Sequence, residues 1–356
     1  MANYEWPMAD ERKGGDGGAV KKILLIPGDG IGVEVIGAAR SVLEALARVL
    51  PELRFEFNEA LMGMAALRAG QAAVPDNTVQ AAKAADACLL GAIDEAALPV
   101  GTSALGPFRR LLGGYANIRP LRAFPGVPCL CPDLDVVVVR ENTEGMYSDI
   151  EFEAGAEAAC AVRLITRQGS ERVARAAFEL ARRRRRRVTA VHKLGVFKRT
   201  DGLFLETARA VGAAYPEVTL ETRNIDACAM ELILHPAHFD VILATNLFGD
   251  VLSDEAAGLV GGIGLAPSAV LGDRHGYFEP VHGTAPDIAG KGIANPMAAI
   301  LAAALMLDHL KEQAAARAVE RSVAAVLAAG APRTPDLGGS ATTAEVTRAI
   351  IARLTT

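Results

Sequence analysis

The apolar segment Lys22-Ile23-Leu24-Leu25-Ile26 runs straight into Pro27-Gly28-Asp29-Gly30-Ile31-Gly32 and then into an amphipathic stretch over 33–50. A buried strand, a glycine turn and a helix in direct succession open an α/β unit, because a strand apolar on both faces needs helices to cover it. The alternation continues with a strand at 53–57, Ala-rich helical segments and a buried strand at 87–90. From residue 134 it resumes with a strand at 135–139, a long helix at 170–187 and strands at 188–191 and 241–244. Helices dominate after Asn295, over 296–310 and 314–329, and a last one opens with Thr342 and Glu345 at capping-box spacing. No internal repeat is present.

A chain of 356 residues, 51% hydrophobic, supports two lobes with real cores and excludes a disordered or fibrous protein. Its net charge of -5 sets up no global field toward nucleic acid, so an anionic substrate would need cations placed locally. Cys88, Cys129, Cys131, Cys160 and Cys228 are scattered, with no second CxC or CxxC partner for zinc, and read as reduced thiols of a cytoplasmic protein. No apolar run approaches the ~20 residues that span a bilayer, and the N-terminus lacks a signal-peptide pattern. Residues 1–20, rich in Gly and charge, read as a disordered extension. The run Arg182 to Arg187 lacks interleaved aromatics, so it reads as a solvated helix end complementing the dipole rather than a nucleic-acid patch.

The turn at Gly28, Gly30 and Gly32 misses the GxGxxG fingerprint, since its third glycine falls one residue early. Arg109 and Arg119 flank Tyr115-Ala116-Asn117-Ile118, and Arg140 ends an apolar strand. Three guanidinium forks of this kind suit two carboxylates held bidentately; the plainer alternative is three surface arginines packing their aliphatic stems. Asp250 and Asp254, at i and i+4, share one helical face, which suits Mg²⁺ or Mn²⁺ and equally suits acids at the positive end of a helix dipole. The loop His282-Gly283-Thr284-Ala285-Pro286-Asp287, followed by Asn295, has the backbone donors to wrap an adenosine, with Asp287 on a ribose hydroxyl; it also reads as an ordinary Gly/Pro connection.

Taken together, these segments identify a resemblance. IPGDGIG at Ile26, YANIRP at Tyr115, RENTEGMY at Arg140, HK at His192, TNLFGDVLSDEAAGL at Thr245 and EPVHGTAPDIAGKGIANP at Glu279 stand in the order found in the isocitrate/isopropylmalate dehydrogenase family. The chain resembles these decarboxylating 2-hydroxy-acid dehydrogenases from Lys22 to Leu354, with the C-terminal half most similar to homoisocitrate and NAD-isocitrate members. The resemblance implies a two-lobed α/β fold of the isopropylmalate-dehydrogenase type, not a true Rossmann fold, with a helical bundle between subunits. Residues 21–112 and 262–356 would form a large cofactor-side domain, and 113–261 a small domain carrying substrate, metal and dimer contacts.

It also implies roles. Arg109, Arg119 and Arg140 match the substrate clamp, and Ser103 and Leu105 the positions that read the third substituent. Tyr147 and Lys193 match the catalytic acid and base, and Asp226, Asp250 and Asp254 the ligands of Mg²⁺ or Mn²⁺. Ile31, His282, Gly283, Thr284, Ala285, Asp287, Ile288 and Asn295 match the cofactor site, with Asp287 and Ile288 in the NAD-type pattern. Lys193 and Asp226 would come from a partner subunit, implying a homodimer, or a tetramer built from it. The expected reaction is NAD-dependent oxidative decarboxylation of a 2-hydroxy-3-carboxy acid, with no nucleic-acid or membrane partner. Isocitrate or homoisocitrate ranks first as substrate, then 3-isopropylmalate. A tartrate- or malate-type dehydrogenase and a pathway-specific isocitrate analogue are the alternatives, and a non-catalytic regulatory subunit would have lost one of the residues just named. Five positions depart from the pattern: Leu105 replaces the asparagine of isocitrate enzymes, Gly106 a leucine or arginine, Gly195 an asparagine, and Ile93-Asp94 interrupts the turn after Gly91.

Overall fold

Ten strands hydrogen-bond into one mixed sheet in the order β2-β1-β3-β12-β11-β4-β5-β10-β8-β9, where β1 is Val20–Ile26, β2 Arg54–Glu59, β3 Ala87–Leu90, β4 Ala116–Arg122, β5 Asp135–Glu141, β8 Arg187–His192, β9 Thr219–Asn224, β10 Val241–Ala244, β11 Pro267–Leu271 and β12 Gly276–Pro280. The remaining strands, β6 (Glu151–Glu153) and β7 (Ala159–Ala161), pair as a separate exposed hairpin. This computed structural model describes residues 20–355. The extension expected over 1–20 therefore lies outside the described residues, except that Val20 already begins β1.

Two parallel wings meet at an antiparallel centre. β1, β2, β3 and β12 run parallel to one another, as do β5, β10, β8 and β9, while β11 pairs antiparallel with both β12 and β4, and β4 antiparallel with β5. A sheet with reversed strands at its middle is not a doubly wound Rossmann sheet. Strands buried on both faces explain the valine run in β5: Val137 and Val139 enter one apolar cluster, Val136 and Val138 the cluster on the opposite face.

The helices are α1 (Gly32–Val49), α2 (Met64–Arg68), α3 (Asp76–Ala84), α4 (Leu105–Leu112), α5 (Arg167–Arg182), α6 (Thr200–Gly212), α7 (Ile225–Leu234), α8 (Asn246–Leu259), α9 (Met297–His309), α10 (Gln313–Ala328) and α11 (Thr343–Ile351). α9 is buried from Met297 through Leu307 and packs on β11 and β12 with α1 and α10 against it, as a helix apolar all round must. The capping box at Thr342 and Glu345 starts α11 as the spacing requires. α8 crosses β4 and β5, which is what brings its acidic face to the arginines of those strands.

The arginine run is a solvated helix end only in part: Arg182, Arg183, Arg185 and Arg186 are exposed where α5 closes, while Arg184 and Arg187 are not. α5 stops at Arg182, and Arg187 already opens β8. The side chain of Arg184 is only 4% exposed, with Nε 2.7 Å from Asp240 Oδ1 and Nη2 2.8 Å from Asp135 Oδ1. Arg185 and Arg187 donate to the carbonyls of Asp135 and His238 at 2.8 and 2.9 Å. The buried Asp240 carboxylate needs these partners, so it draws the chain out of the helix. All five cysteines are free thiols, and burial pushes Cys88 and Cys228 up to about 12. Among the described residues, no helix is long and apolar enough to cross a membrane.

Candidate active site

Antiparallel pairing of β4 with β5 sets Asn117 opposite Arg140, and Arg119 follows two residues along on the same face. Arg109 arrives from α4. All three are buried, which rules out surface arginines packing only their stems. Arg140 forks Asn246 Oδ1 with Nε at 3.0 Å and Nη2 at 2.6 Å, and its Nη1 ion-pairs with Asp250. Arg119 Nη1 donates to Ser253 Oγ at 2.7 Å and sits 3.2 Å from Asp250 Oδ1 and 3.4 Å from Asp254 Oδ1. Arg109 Nε donates to Tyr277 OH at 3.2 Å. The phenol of Tyr147 donates to Asp250 Oδ2 at 2.5 Å, and its ring lies under the Arg140 guanidinium at 5.1 Å.

These contacts set the protonation states. Burial pulls the Arg140 guanidinium down, Arg119 beside it adds repulsion, and Asp250 only partly offsets them, leaving it at about 10. Burial pushes the Asp250 carboxyl up, but Arg140 and Arg119 outweigh it and hold the group below the ordinary carboxylate range. Burial and the bond to Asp250 hold Tyr147 above the usual phenol value, so it stays protonated. Asp254 is raised, chiefly by burial.

Sequence reasoning missed Glu279. This residue on β12 is buried, faces Arg109, Arg119 and Arg140, and is raised by burial despite them. Its one sequence signal is a lone carboxylate after the apolar pair Tyr277-Phe278; the neighbours that give it meaning come from β4, β5 and α4 and are remote in sequence. Asn246, which holds Arg140, was missed for the same reason.

Lys193, at the end of β8, and Asp226, in the first turn of α7, ion-pair with each other away from this cluster. The Lys193 N–H donates to Asp201 Oδ2 at 2.5 Å, and Asp201, fully buried, is paired with Arg163 at 2.7 Å. Asp250 and Asp254 lie one turn apart on α8. Among the described residues no three His, Cys, Asp or Glu side chains of this one chain converge as a metal cage.

Ser103 and Leu105 lead into α4, whose first amides are capped by Glu95: Oε1 accepts from Ala104 N at 3.0 Å and Leu105 N at 2.5 Å. The Ile93-Asp94 interruption is thus a buttress, since Asp94 N also donates to Asp29 Oδ2 at 3.1 Å and Ile93 is buried. Nothing in the structure explains Gly195, whose missing side chain would meet open space.

The cofactor-type segments gather around a cavity of their own. Gly30 takes a φ of +57°, and any Cβ there would lie 2.2 Å from Thr284 O, so the turn and the 282–288 loop touch backbone to backbone, with Ile31 N donating to Thr284 O at 2.9 Å. Between them lies a cavity of about 430 Å³ whose walls include Gly28, Gly30, Arg68, Asp94, Thr284 and Pro286. His282 gives its Nδ1 side to Gly283 O at 3.0 Å, and its buried Nε2 has no partner among the described residues. Burial holds this imidazole neutral. Ala285 and Ile288 pack on the core, Gly283 and Asp287 are exposed, and Asn295 already bonds Asp336 Oδ2 at 2.9 Å and Met297 N at 3.0 Å.

Buried guanidinium groups converge beside a proton-holding phenol, and the same chain carries a cavity edged by a glycine turn, features that suit an oxidoreductase acting on CH–OH donors. The model of the isocitrate/isopropylmalate dehydrogenase family matches residues 22–350, and the chain belongs to that family of decarboxylating hydroxy-acid dehydrogenases. It is 50% identical over 327 residues to a 3-isopropylmalate dehydrogenase of Archaeoglobus fulgidus, covering 92% of this chain and 97% of that protein. It is 49% identical over 336 residues to an isocitrate/homoisocitrate dehydrogenase of Thermus thermophilus, covering 94% and 98%. A crystal structure of isocitrate dehydrogenase from Methylococcus capsulatus superposes with a TM-score of 0.89 at 43% identity, covering 94% of this chain and all of that one.

Proposed function

We propose that this chain is an NAD-linked enzyme that oxidises and decarboxylates a 2-hydroxy-3-carboxy acid with the help of Mg²⁺ or Mn²⁺. The observation that carries this reading is the convergence of buried Arg109, Arg119 and Arg140 around Asp250, with Tyr147 OH on the same carboxylate. Three buried guanidinium groups that share Asp250, with Asp254 and Glu279 beside them, make a receptor for a dicarboxylate. In the free chain Asp250 serves as their counter-ion; the substrate's carboxylates take over that role on binding.

The donor set fits a hard divalent ion: Asp250 and Asp254 supply carboxylate oxygens one turn apart on α8, and Asp226 of a second copy would complete the set. When bound, such an ion would acidify the C2 hydroxyl and draw charge from the carbonyl formed there. The chain's own side chains do the rest. The arginines orient the acid and keep water from it. Lys193 of the second copy takes the hydroxyl proton, and Tyr147 keeps its proton until the carbon that loses CO₂ requires it. A shared site of this kind suits the outward apolar residues Met230, Ile233 and Leu234 on α7 and Leu247 and Val251 on α8, which would be covered in a homodimer bundle.

His282 supports a nucleotide, because a neutral imidazole with Nδ1 committed to Gly283 offers Nε2 as an acceptor for an adenine amine. The exposed Asp287 favours NAD, since it would accept from a ribose hydroxyl and repel a 2′-phosphate. The large domain, 21–112 with 262–356, would carry this cofactor, and 113–261 the substrate and dimer contacts. Free thiols are in keeping with a cytoplasmic setting. A non-catalytic subunit is disfavoured because the clamp, Tyr147 and both α8 carboxylates are assembled. The test is NADH formation from isocitrate, homoisocitrate and 3-isopropylmalate with Mg²⁺ and NAD⁺. Turnover of at least one acid, abolished in Tyr147→Phe, is expected; turnover of none would overturn the reading.

A further inference from the structure

Gly106 does not open an empty pocket. A Cβ built there would meet Asp149 Oδ2 at 3.1 Å, Arg110 Nη1 at 3.4 Å and Ser103 Oγ at 3.5 Å. The room that a larger residue would take in α4 is filled by an ion pair, Arg110 Nη2 to Asp149 Oδ2 at 2.7 Å. Asp149 holds a φ of +59°, a left-handed conformation that side chains adopt under strain, two residues after Tyr147. The pair therefore ties the helix that carries Arg109 and follows Ser103 to the segment that carries the phenol.

We infer that the Arg110–Asp149 pair walls the pocket for the substrate's third substituent and selects against a carboxylate there. This rests on the function proposed above. Arg110 is a cation beside Gly106, and it is the charge an anionic substituent would seek; Asp149 already pairs with it. A second carboxylate entering beside Asp149 would meet like charge with half of the guanidinium fork taken. Ser103 still offers a hydroxyl, so an uncharged substituent, alkyl or hydroxylated, fits the wall, with Leu105 as its apolar side. Ser103 alone ranks isocitrate-type acids first; the ion pair reverses that order. Gly106 belongs to the same device, because even a methyl group at that position would crowd the Asp149 carboxylate.

The test compares wild type, Asp149→Gly and the double variant Asp149→Gly/Arg110→Ala on isocitrate and 3-isopropylmalate, by kcat/KM and by calorimetric binding with Mg²⁺. Glycine is at ease at this φ, so the single variant should fold. It is expected to raise the isocitrate to 3-isopropylmalate ratio about tenfold by leaving Arg110 unpaired, and the double variant to return it. A ratio that stays within about twofold, or falls, overturns the inference while the proposed function stands. Binding of neither acid by the wild type overturns both.

Discussion

Replacing Asp250 by Asn would remove the anion on which Arg140, Arg119 and Tyr147 converge. Arg140 and Arg119 have side chains only 2% and 6% exposed, so the charge left behind cannot be hydrated. Breaking a buried pair from one side costs ~3–5 kcal/mol. Asp250 itself is 30% exposed, Arg140 keeps Asn246, Arg119 keeps Ser253, and an amide still accepts a hydrogen bond, which brings the expected loss to about 2–3 kcal/mol. That corresponds to a fall in Tm of roughly 3–4 °C for a chain of this size. The assay is thermal and urea unfolding in EDTA. Because the fold holds the Asp250 carboxyl below its ordinary value, the unfolded chain binds more protons as pH falls. The stabilisation is therefore complete above the unfolded value of ~3.9 and lost as pH drops through the lower folded one. The gap between wild type and variant should stay constant from about pH 8 to 5. Adding a dicarboxylate should stabilise the variant more than the wild type, since the ligand supplies the missing anion. An Asn variant as stable as the wild type would refute the idea that Asp250 is the counter-ion of the clamp.

NAD⁺ should exceed NADP⁺ in kcat/KM by at least about tenfold, a difference of ~1.4 kcal/mol, and Asp287→Lys should narrow the gap; equal efficiency in the wild type would place Asp287 away from the ribose. Chelation should abolish turnover and Mg²⁺ or Mn²⁺ restore it, with Asp254→Asn needing more metal while unfolding at the same temperature; full turnover by exhaustively chelated enzyme would remove the metal from the account. Mixing Lys193→Ala with Tyr147→Phe protein under subunit exchange should recover part of the activity, because some hybrid sites carry neither lesion. No recovery after proven exchange would mean that each site is built from one chain.

The wings of the sheet were legible because their strands are apolar on both faces and alternate with helices: β1, β3, β5, β8 and β10 all lie where short buried runs predict them. The antiparallel centre was not. β4 carries Asn117, Arg119 and Pro120, and β12 carries Glu279, so both break the apolar run; the pairings that knit them into the one sheet, β11 with β4 and β12 with β3, join strands remote in sequence. The arginine run was legible only in part for a related reason. Its meaning comes from Asp240 and Asp135, about fifty residues away along the chain. Spacing on one helix revealed Asp250 and Asp254 as a pair, yet their engagement by Arg119 and Arg140 needs α8 laid across β4 and β5. Periodicity carries no information on the Arg110–Asp149 pair, since it joins a helix to a loop through a glycine that looks like an absence.

Decarboxylation separates the proposed reaction from simple oxidation of a tartrate- or malate-type acid, which would use the same arginines, carboxylates and phenol. The direct measurement is the ratio of CO₂ released to NADH formed on the best substrate under initial-rate conditions. One CO₂ per NADH is expected. NADH formed at full rate with no CO₂ would contradict the account.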